Sequence, residues 1–165
     1  MISKEHFSES HLFDTSNWTS MWDLTLTLKQ ARKTDDGLTW IRTDEYECRK
    51  ALLHFMHLLN RAVYGNAVRR YGKQLRILPI LEKETHGRWH IHAAIEPPNH
   101  IEPDLFTVLI HDCWSKVDWG YREILVRPSA DRGWIYYMLK RRQKSEFEAW
   151  SDCIDWESLH NTPNC

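Results

Sequence analysis

The spacing of apolar residues along the chain predicts a strand followed by a helix. Residues 22–29, Trp-Asp-Leu-Thr-Leu-Thr-Leu-Lys, alternate apolar with polar side chains, and this period of two predicts a β-strand with one buried face. Residues 44–63 predict an amphipathic helix, with Thr43 as its N-cap and Gly65 at its end. The apolar positions of that helix recur every three or four residues, at Leu52, Phe55, Met56, Leu59 and Val63.

The remaining pattern predicts an α+β order of elements. The runs 75–84 and 89–96 predict two strands that pair as a hairpin. A helix is expected over about 104–117, a strand over 121–127 and a last helix over about 132–144. The first six elements of this β-α-β-β-α-β-α order match the split βαβ arrangement of ferredoxin-like and RRM-like folds. We therefore expect a central antiparallel sheet with helices on one face and a C-terminal helix.

Length and composition are typical of one globular domain. The 165 residues are 42% hydrophobic and 27% charged, which argues against extensive disorder. We expect an N-terminal extension over 1–20, one domain over 21–144 and an acidic tail over 145–165. No run reaches the roughly 18–20 apolar residues that span a bilayer, and no secretory signal is visible. Four scattered cysteines without a Cys-x-x-Cys pair predict reduced thiols in an intracellular protein.

The formal net charge of −1 hides a division along the chain. Residues 145–165 hold five acidic side chains and neither Lys nor Arg, which leaves 18 acidic against all 22 basic side chains elsewhere. Within that remainder, residues 121–144 hold seven basic and two acidic side chains. A basic body with an acidic tail can bind phosphate groups, although a merely solvated tail gives the same pattern. The net charge therefore does not exclude a nucleic-acid partner.

The second strand of the predicted hairpin, Trp-His-Ile-His-Ala-Ala-Ile, carries the most informative motif. Because His90 and His92 are two residues apart, both imidazoles project from one face and can bind one divalent ion. A turn with an odd number of residues, such as 86–88, places Glu84 opposite His90 and Glu82 opposite His92. An even turn would send both carboxylates toward the core, which is unfavourable. Two histidines and a carboxylate suit Mg²⁺ or Mn²⁺, with nitrogen ligands favouring Mn²⁺; two solvent-facing histidines are the simpler alternative.

Tyrosines and threonines on two other elements add candidate chemistry. Tyr136, Tyr137 and Lys140 lie together on one side of the last predicted helix. A tyrosine near positive charge and a metal-bound phosphate can act as a nucleophile, although its ordinary pKa of ~10 keeps it mostly protonated. On the first strand, Thr25 and Thr27 share a face and either contact DNA or support the sheet. Taken alone, an amphipathic helix and a structural Thr pair explain both patterns more simply.

Taken in order, these motifs resemble the His-hydrophobic-His (HUH) endonuclease superfamily, and most closely its rolling-circle replication-initiator (Rep) branch. The resemblance covers residues 22–140. In that family two histidines and a glutamate hold one Mg²⁺ or Mn²⁺, which implies His90, His92 and Glu82 as ligands here.

The resemblance also implies a nucleophile. The family's Tyr-x-x-Lys spacing selects Tyr137, with Lys140 stabilising charge, whereas a Tyr-x-x-x-Lys spacing would select Tyr136. The implied activity is sequence-specific nicking and joining of single-stranded DNA through a covalent 5′-phosphotyrosine link. A transposase or relaxase of the same superfamily, or a non-enzymatic RRM-like nucleic-acid-binding module, remain alternatives.

A DNA-processing role would involve further residues and partners. A Walker motif is not present in the sequence, so helicase activity would come from a separate protein or region. The expected compartment is the cytoplasm for a bacterial or plasmid protein and the host nucleus for a eukaryotic virus. The expected DNA contacts are Thr25, Thr27, Trp89, Arg122, Arg127, Arg132, Arg141 and Arg142.

Overall fold

The computed structural model describes residues 15–84, 87–131 and 133. Four strands form an antiparallel sheet in the order β4-β5-β1-β6, and the short strands β2 and β3 pair separately. The elements are β1 (Trp22–Leu28), β2 (Ala31–Lys33), β3 (Trp40–Arg42), α1 (Glu45–Tyr64), α2 (Ala67–Tyr71), β4 (Ile77–Lys83), β5 (Trp89–Ile95), α3 (Pro103–Ser115) and β6 (Gly120–Arg127). The fold is therefore α+β with a central antiparallel sheet, as the sequence predicts.

One face of the sheet packs against the long helices. Leu24, Leu26 and Leu28 of β1 are fully buried in a cluster that also contains side chains of α1 and α3. Between the helices, the rings of Phe55 and Trp114 meet edge to face, with their centroids 5.5 Å apart. The alternation along β1 thus sends every second residue into the core and the residues between them to the opposite face.

The N-cap of the long helix α1 lies one residue later than predicted. Asp44 is the N-cap, in an extended conformation, and its carboxylate accepts a hydrogen bond of 2.8 Å from the Glu47 backbone N–H. Thr43 was the wrong prediction, because its hydroxyl donates to the Lys29 carbonyl instead. Gly65 ends the helix as expected, since its N–H donates to the Arg61 carbonyl. Of the predicted apolar stripe, Leu52, Phe55, Leu59 and Val63 are buried and Met56 is partly buried.

A hairpin of β2 and β3 and the short helix α2 are not predicted by the sequence pattern. Each strand of the hairpin is only three residues long, too short for an alternation to be recognised. Ile41 packs against the core, whereas Trp40 on the other side of the hairpin is 67% exposed. The linker between β1 and α1 is therefore a small structured element instead of a simple polar turn.

A second, smaller apolar cluster lies at one end of the other face of the sheet. It contains Met21, Leu78, Ile80 and Ala94, with Trp18 and Ala130 packed against it. Residues 15–20 belong to the predicted N-terminal extension, and here they contact the sheet: the Thr19 backbone N–H donates to the Glu96 carboxylate at 2.8 Å. Across the described ranges, no helix combines the length and the apolar character that a membrane crossing requires.

Several predicted segments lie outside the described residues. These are residues 1–14, the greater part of the last helix predicted over about 132–144, and the acidic tail over 145–165. Tyr136, Tyr137 and Lys140 fall within them, together with Arg132, Arg141 and Arg142.

Candidate metal centre

Both histidines of β5 lie on the sheet face that is turned away from α1 and α3. We call this surface the histidine face; it carries Thr25, Thr27, Glu82, His90 and His92. In the register of the sheet, His92 is opposite Thr25 and His90 is opposite Thr27 on β1. On the other flank, Glu82 of β4 is opposite His90. Because β5 is an inner strand with partners on both sides, its imidazoles are held between hydroxyls and carboxylates.

The first of two side-chain rows crosses three strands. The Thr25 hydroxyl oxygen lies 3.1 Å from Nδ1 of His92. On the opposite side of the ring, Nε2 of His92 lies 2.7 Å from a carboxylate oxygen of Glu82. This row therefore places a hydroxyl, an imidazole and a carboxylate in sequence across β1, β5 and β4.

The second row runs alongside the first. The Thr27 hydroxyl oxygen lies 3.2 Å from Nδ1 of His90, and Nε2 of His90 lies 2.9 Å from a carboxylate oxygen of Glu84. That approach is close enough for an ion pair but does not form a hydrogen bond, so Nε2 is a buried nitrogen without a hydrogen-bond partner among the described residues. The two imidazoles face each other at 6.3 Å between ring centroids. A buried, unsatisfied ring nitrogen beside a carboxylate is a feature that a cation would relieve.

The hairpin register explains why both carboxylates reach this face. The Glu84 backbone N–H donates to the Arg88 carbonyl at 2.8 Å, so these two residues are opposite each other and an odd number of residues separates them along the chain. An odd turn was expected, and it keeps Glu82 and Glu84 on the same face as the histidines. The predicted opposite pairs were wrong by two positions, because Glu82 and not Glu84 is opposite His90. The carboxylates nevertheless reach the predicted histidines along diagonals.

The donor types fit a divalent cation. When Nδ1 of each ring donates to its threonine, the lone pair of Nε2 faces a carboxylate, and the two repel unless a proton or a cation lies between them. Nitrogen–oxygen separations of 2.7 and 2.9 Å are close to the ~3 Å between adjacent ligands of an octahedral ion with bonds of ~2.1 Å. Within the described chain, no group of three or more His, Cys, Asp or Glu side chains already converges on one point. The structure thus shows two neighbouring His–Glu couples on one face of the sheet.

The predicted DNA contacts on β1 and β5 are buried or hydrogen-bonded within the sheet. Trp89 was a wrong prediction: it is 8% exposed because it points into the core with Ile91, and its indole N–H donates to the Thr43 carbonyl. Thr27 is 4% exposed, so it supports His90 and offers no surface to DNA. The Thr25 hydroxyl is likewise engaged with a histidine.

Two predicted arginine contacts lie among the described residues, both on the edge strand β6. Arg122 and Arg127 are exposed there. The Arg127 guanidinium lies 3.7 Å from the Asp23 carboxylate on β1. Both arginines are therefore available to a polyanion.

Asp23 is a charged residue of the histidine face that the sequence reasoning missed. It is 3% exposed, and burial raises its pKa to about 6, although the positive charge of Arg127 acts in the opposite direction. The available signal was its position: Asp23 is two residues before Thr25 in an alternating strand, so it had to share the face of the threonines.

Comparisons with protein-family models, with curated proteins and with solved structures gave no match. The geometry of the histidine face therefore carries the functional argument.

Proposed function

We propose that this chain is a metal-dependent endonuclease that nicks and joins single-stranded DNA, of the HUH replication-initiator type. The observation that carries the proposal is the pair His90 and His92 on an inner strand, each held by a threonine at Nδ1 and facing a glutamate at Nε2. Two solvent-facing histidines without a function would not need a threonine on one side and a glutamate on the other at both positions. A metal site uses this arrangement to orient each ring.

The sheet supports a finer fold assignment within this proposal. With the β2–β3 hairpin and α2 set aside, the chain runs β-α-β-β-α-β, and all neighbouring strands of the sheet are antiparallel. We assign it to the ferredoxin-like class on this basis. In such a sheet the His-bearing strand is central, so a single strand of DNA lying across the histidine face can reach it from either side.

Within the proposal, His90, His92 and Glu82 would hold the ion, and Glu84 lies within reach of the same face. A bound Mn²⁺ or Mg²⁺ would polarise and orient the scissile phosphate. Thr25 and Thr27 hold the two rings so that Nε2 of each faces a glutamate. Arg122 and Arg127 contact the DNA, with Arg122 at its backbone, which makes binding sensitive to salt.

Tyr137 is the proposed nucleophile, with Tyr136 as the alternate. The phenolate oxygen attacks phosphorus, and the bond from phosphorus to the 3′-oxygen breaks. The piece of the strand that precedes the scissile phosphate leaves, and its 3′-oxygen is protonated to a hydroxyl. The piece that follows stays attached to the enzyme through a 5′-phosphotyrosine. Lys140 stabilises the phenolate or phosphate charge. Because the number of phosphoester bonds is unchanged, the 3′-hydroxyl can attack in turn and rejoin the strand.

A covalent-adduct assay tests the activity. The full chain is incubated with a library of single-stranded oligonucleotides and Mn²⁺, and a protein–DNA band that survives denaturation is the expected product. The band should disappear in Tyr137→Phe and remain in Tyr46→Phe, a matched control at an exposed tyrosine of α1. Loss in Tyr136→Phe alone would transfer the role to Tyr136, and persistence in both variants would reject the nucleophile assignment.

Metal titration tests the site independently of cleavage. Mn²⁺ affinity should fall at least tenfold in His90→Ala, His92→Ala and Glu82→Gln. His111→Ala, at an exposed position of α3, is the matched control and should bind as the unaltered chain does. Glu84→Gln decides whether the fourth side chain is also a ligand. Unchanged affinity in both histidine variants would reject the metal site.

A binding module without catalysis is the second candidate. The exposed Trp40 has the Lys33 ammonium 5.8 Å from its ring centroid, and an aromatic ring beside cations is typical of surfaces that stack unpaired bases. Oligonucleotide binding without cleavage under any divalent ion would favour this candidate. A transposase or relaxase of the same superfamily would form the same covalent adduct.

A further inference from the structure

Asp23 holds an unsatisfied carboxylate oxygen at the far end of the histidine face. The side chain is 3% exposed, and its Oδ1 atom has no hydrogen-bond partner in the part of the chain that the structure describes. Its other oxygen lies 3.7 Å from the Arg127 guanidinium, which is too far for a hydrogen bond. Burying a carboxylate in this way is costly unless a ligand completes it.

A cavity lies beside Asp23. It has a volume of about 610 Å³, and its described lining includes Asp23, Arg127 and the loop of residues 128–131. This volume falls within the ~300–1,000 Å³ of typical small-molecule sites. Val126, Pro128 and Ala130 add an apolar wall. Ser129 and Asp131 add polar groups to the lining, and Asp23 and Arg127 lie side by side in it.

The Asp23 carboxylate next to the Arg127 guanidinium favours one kind of ligand. A carboxylate accepts two hydrogen bonds from neighbouring N–H groups, and a guanidinium beside it donates to a carbonyl oxygen. Among the nucleobases, guanine alone has two adjacent N–H donors, N1–H and N2–H, next to a carbonyl at O6. Adenine has no carbonyl, thymine has one ring N–H between two carbonyls, and cytosine has a ring-nitrogen acceptor beside its amino group.

The position of the cavity matches a strand of DNA on the histidine face. Asp23 is two residues from Thr25, or about 7 Å along β1, and Thr25 contacts His92. Arg127 is directly opposite Asp23 on β6, so both groups face the same side of the sheet. A base near a phosphate held at the histidines would thus reach the cavity.

We propose that Asp23 and Arg127 form a guanine-binding pocket, in which the carboxylate accepts from N1–H and N2–H and the guanidinium donates to O6. The guanine comes either from an unpaired nucleotide of DNA or from a free guanine nucleotide. The pocket goes beyond the proposed endonuclease activity, and it contains none of the metal ligands.

Calorimetric titration of the full chain tests the pocket without any cleavage step. The probes are dGMP, dAMP, dCMP, dTMP and the oligonucleotides T4-G-T4 and T9, in the absence of divalent ions. Guanine probes should bind at least tenfold more tightly than the others, since a pocket built for hydrogen bonds discriminates strongly against bases that leave it unpaired. Preference for T4-G-T4 over dGMP identifies DNA as the source, and the reverse identifies a free nucleotide. Equal affinity for all bases overturns the proposal.

Variants and an analogue test the assigned contacts. Asp23→Asn should abolish the preference for guanine, whereas Asp118→Asn, at an exposed aspartate, should retain it. Should Asp23→Asn fail to fold, dIMP replaces it: inosine lacks the 2-amino group, and the unaltered chain should bind it several-fold more weakly than dGMP. Equal binding of dIMP and dGMP overturns the contact with Asp23. His92→Ala should lose nicking and keep guanine binding, so failure of the two proposals can be told apart.

Discussion

The hydroxyls of Thr25 and Thr27 determine which nitrogen of each histidine faces the carboxylates. At 3.1–3.2 Å the hydroxyl fixes the orientation of each ring, and it either donates to Nδ1 or accepts from it, depending on the tautomer. The tautomer that can bind a cation at Nε2 carries its proton on Nδ1. The Nε2 lone pair then points toward Glu82 or Glu84. Two small β-branched residues, which also suit a strand, thus orient the chemical groups of the site.

Removing either hydroxyl should weaken metal binding without changing the ligands. In Thr25→Val and Thr27→Val we expect the Mn²⁺ dissociation constant to rise about 10–100-fold, because the rings lose the partner that orients them. Isothermal titration measures this effect. Thr25→Ser and Thr27→Ser retain the hydroxyl and should restore most of the affinity. If the serine variants bind as poorly as the valine variants, the effect arises from packing and the orienting role is rejected.

The raised pKa of Asp23 should make stability depend on pH. Because its pKa is about 6 in the folded chain and near 3.8 when unfolded, the folded state binds the proton more tightly between these values. The stability gained from this tighter proton binding is therefore complete below about pH 4 and is lost as the pH rises through 6. Asp23→Asn should raise the free energy of unfolding by about 1–2 kcal/mol at pH 8 and by little at pH 4. Urea unfolding at the two pH values measures the difference, and an equal effect at both would contradict the assignment.

At the scale of elements, α1 depends on interactions made by its first turn. Asp44 caps the helix, and Glu47 accepts a hydrogen bond of 2.6 Å from the indole N–H of Trp119, just before β6. The first turn of the helix is thereby connected to a residue 72 positions later in the chain. This contact joins the two halves of the fold on the side of the sheet opposite the histidines.

Loss of the cap should destabilise the whole domain measurably. In Asp44→Ala the Glu47 N–H loses its acceptor, and we expect the free energy of unfolding to fall by about 0.5–2 kcal/mol. Chemical denaturation followed by circular dichroism measures it. Asp35→Ala removes an exposed aspartate paired with Arg32 on the surface and should change stability by less than about 0.5 kcal/mol. Equal effects of the two variants would argue against the cap.

For the whole molecule, the histidine face is divided into a covered apolar end and a polar end. Trp18 and Met21 pack over Leu78, Ile80 and Ala94, and the histidines lie beyond this cover. The side chains of Glu82 and Glu84 remain partly exposed there. The division packs apolar side chains together at one end of this face and leaves the carboxylates beside the histidines accessible at the other.

Metal binding to this face should stabilise the entire fold. An ion that binds only the folded chain raises the free energy of unfolding by about 2.7 kcal/mol when its concentration is 100 Kd. This corresponds to an increase of roughly 5–10 °C in Tm for a chain of this size. Differential scanning calorimetry with Mn²⁺ measures the shift. It should be absent in His92→Ala and present in His111→Ala. A shift of the same size in both variants would place the ion elsewhere.

The strongly periodic elements could be predicted from the sequence, whereas shorter ones could not. The strand at Trp22–Leu28 and the helix at Glu45–Tyr64 have enough residues for their periods to appear, and both were predicted within a residue or two. The β2–β3 hairpin was missed because three-residue strands carry no readable period. The placement of Trp89 at the DNA surface was wrong, because a residue next to His90 in a strand projects to the opposite face, which here is the core.

The sequence by itself determined which side chains share a face. Alternation along a strand is a local property, so His90, His92, Thr25, Thr27 and the glutamates had to project together once the turn was odd. Their actual partners were decided only by the tertiary structure. Strand order and register bring β1 and β4 to opposite flanks of β5, and side-chain diagonals pair His90 with Glu84 although Glu82 is its neighbour in the sheet. The burial of Asp23 against Arg127 likewise depends on β6 pairing with β1, a contact between residues 104 positions apart that no local pattern encodes.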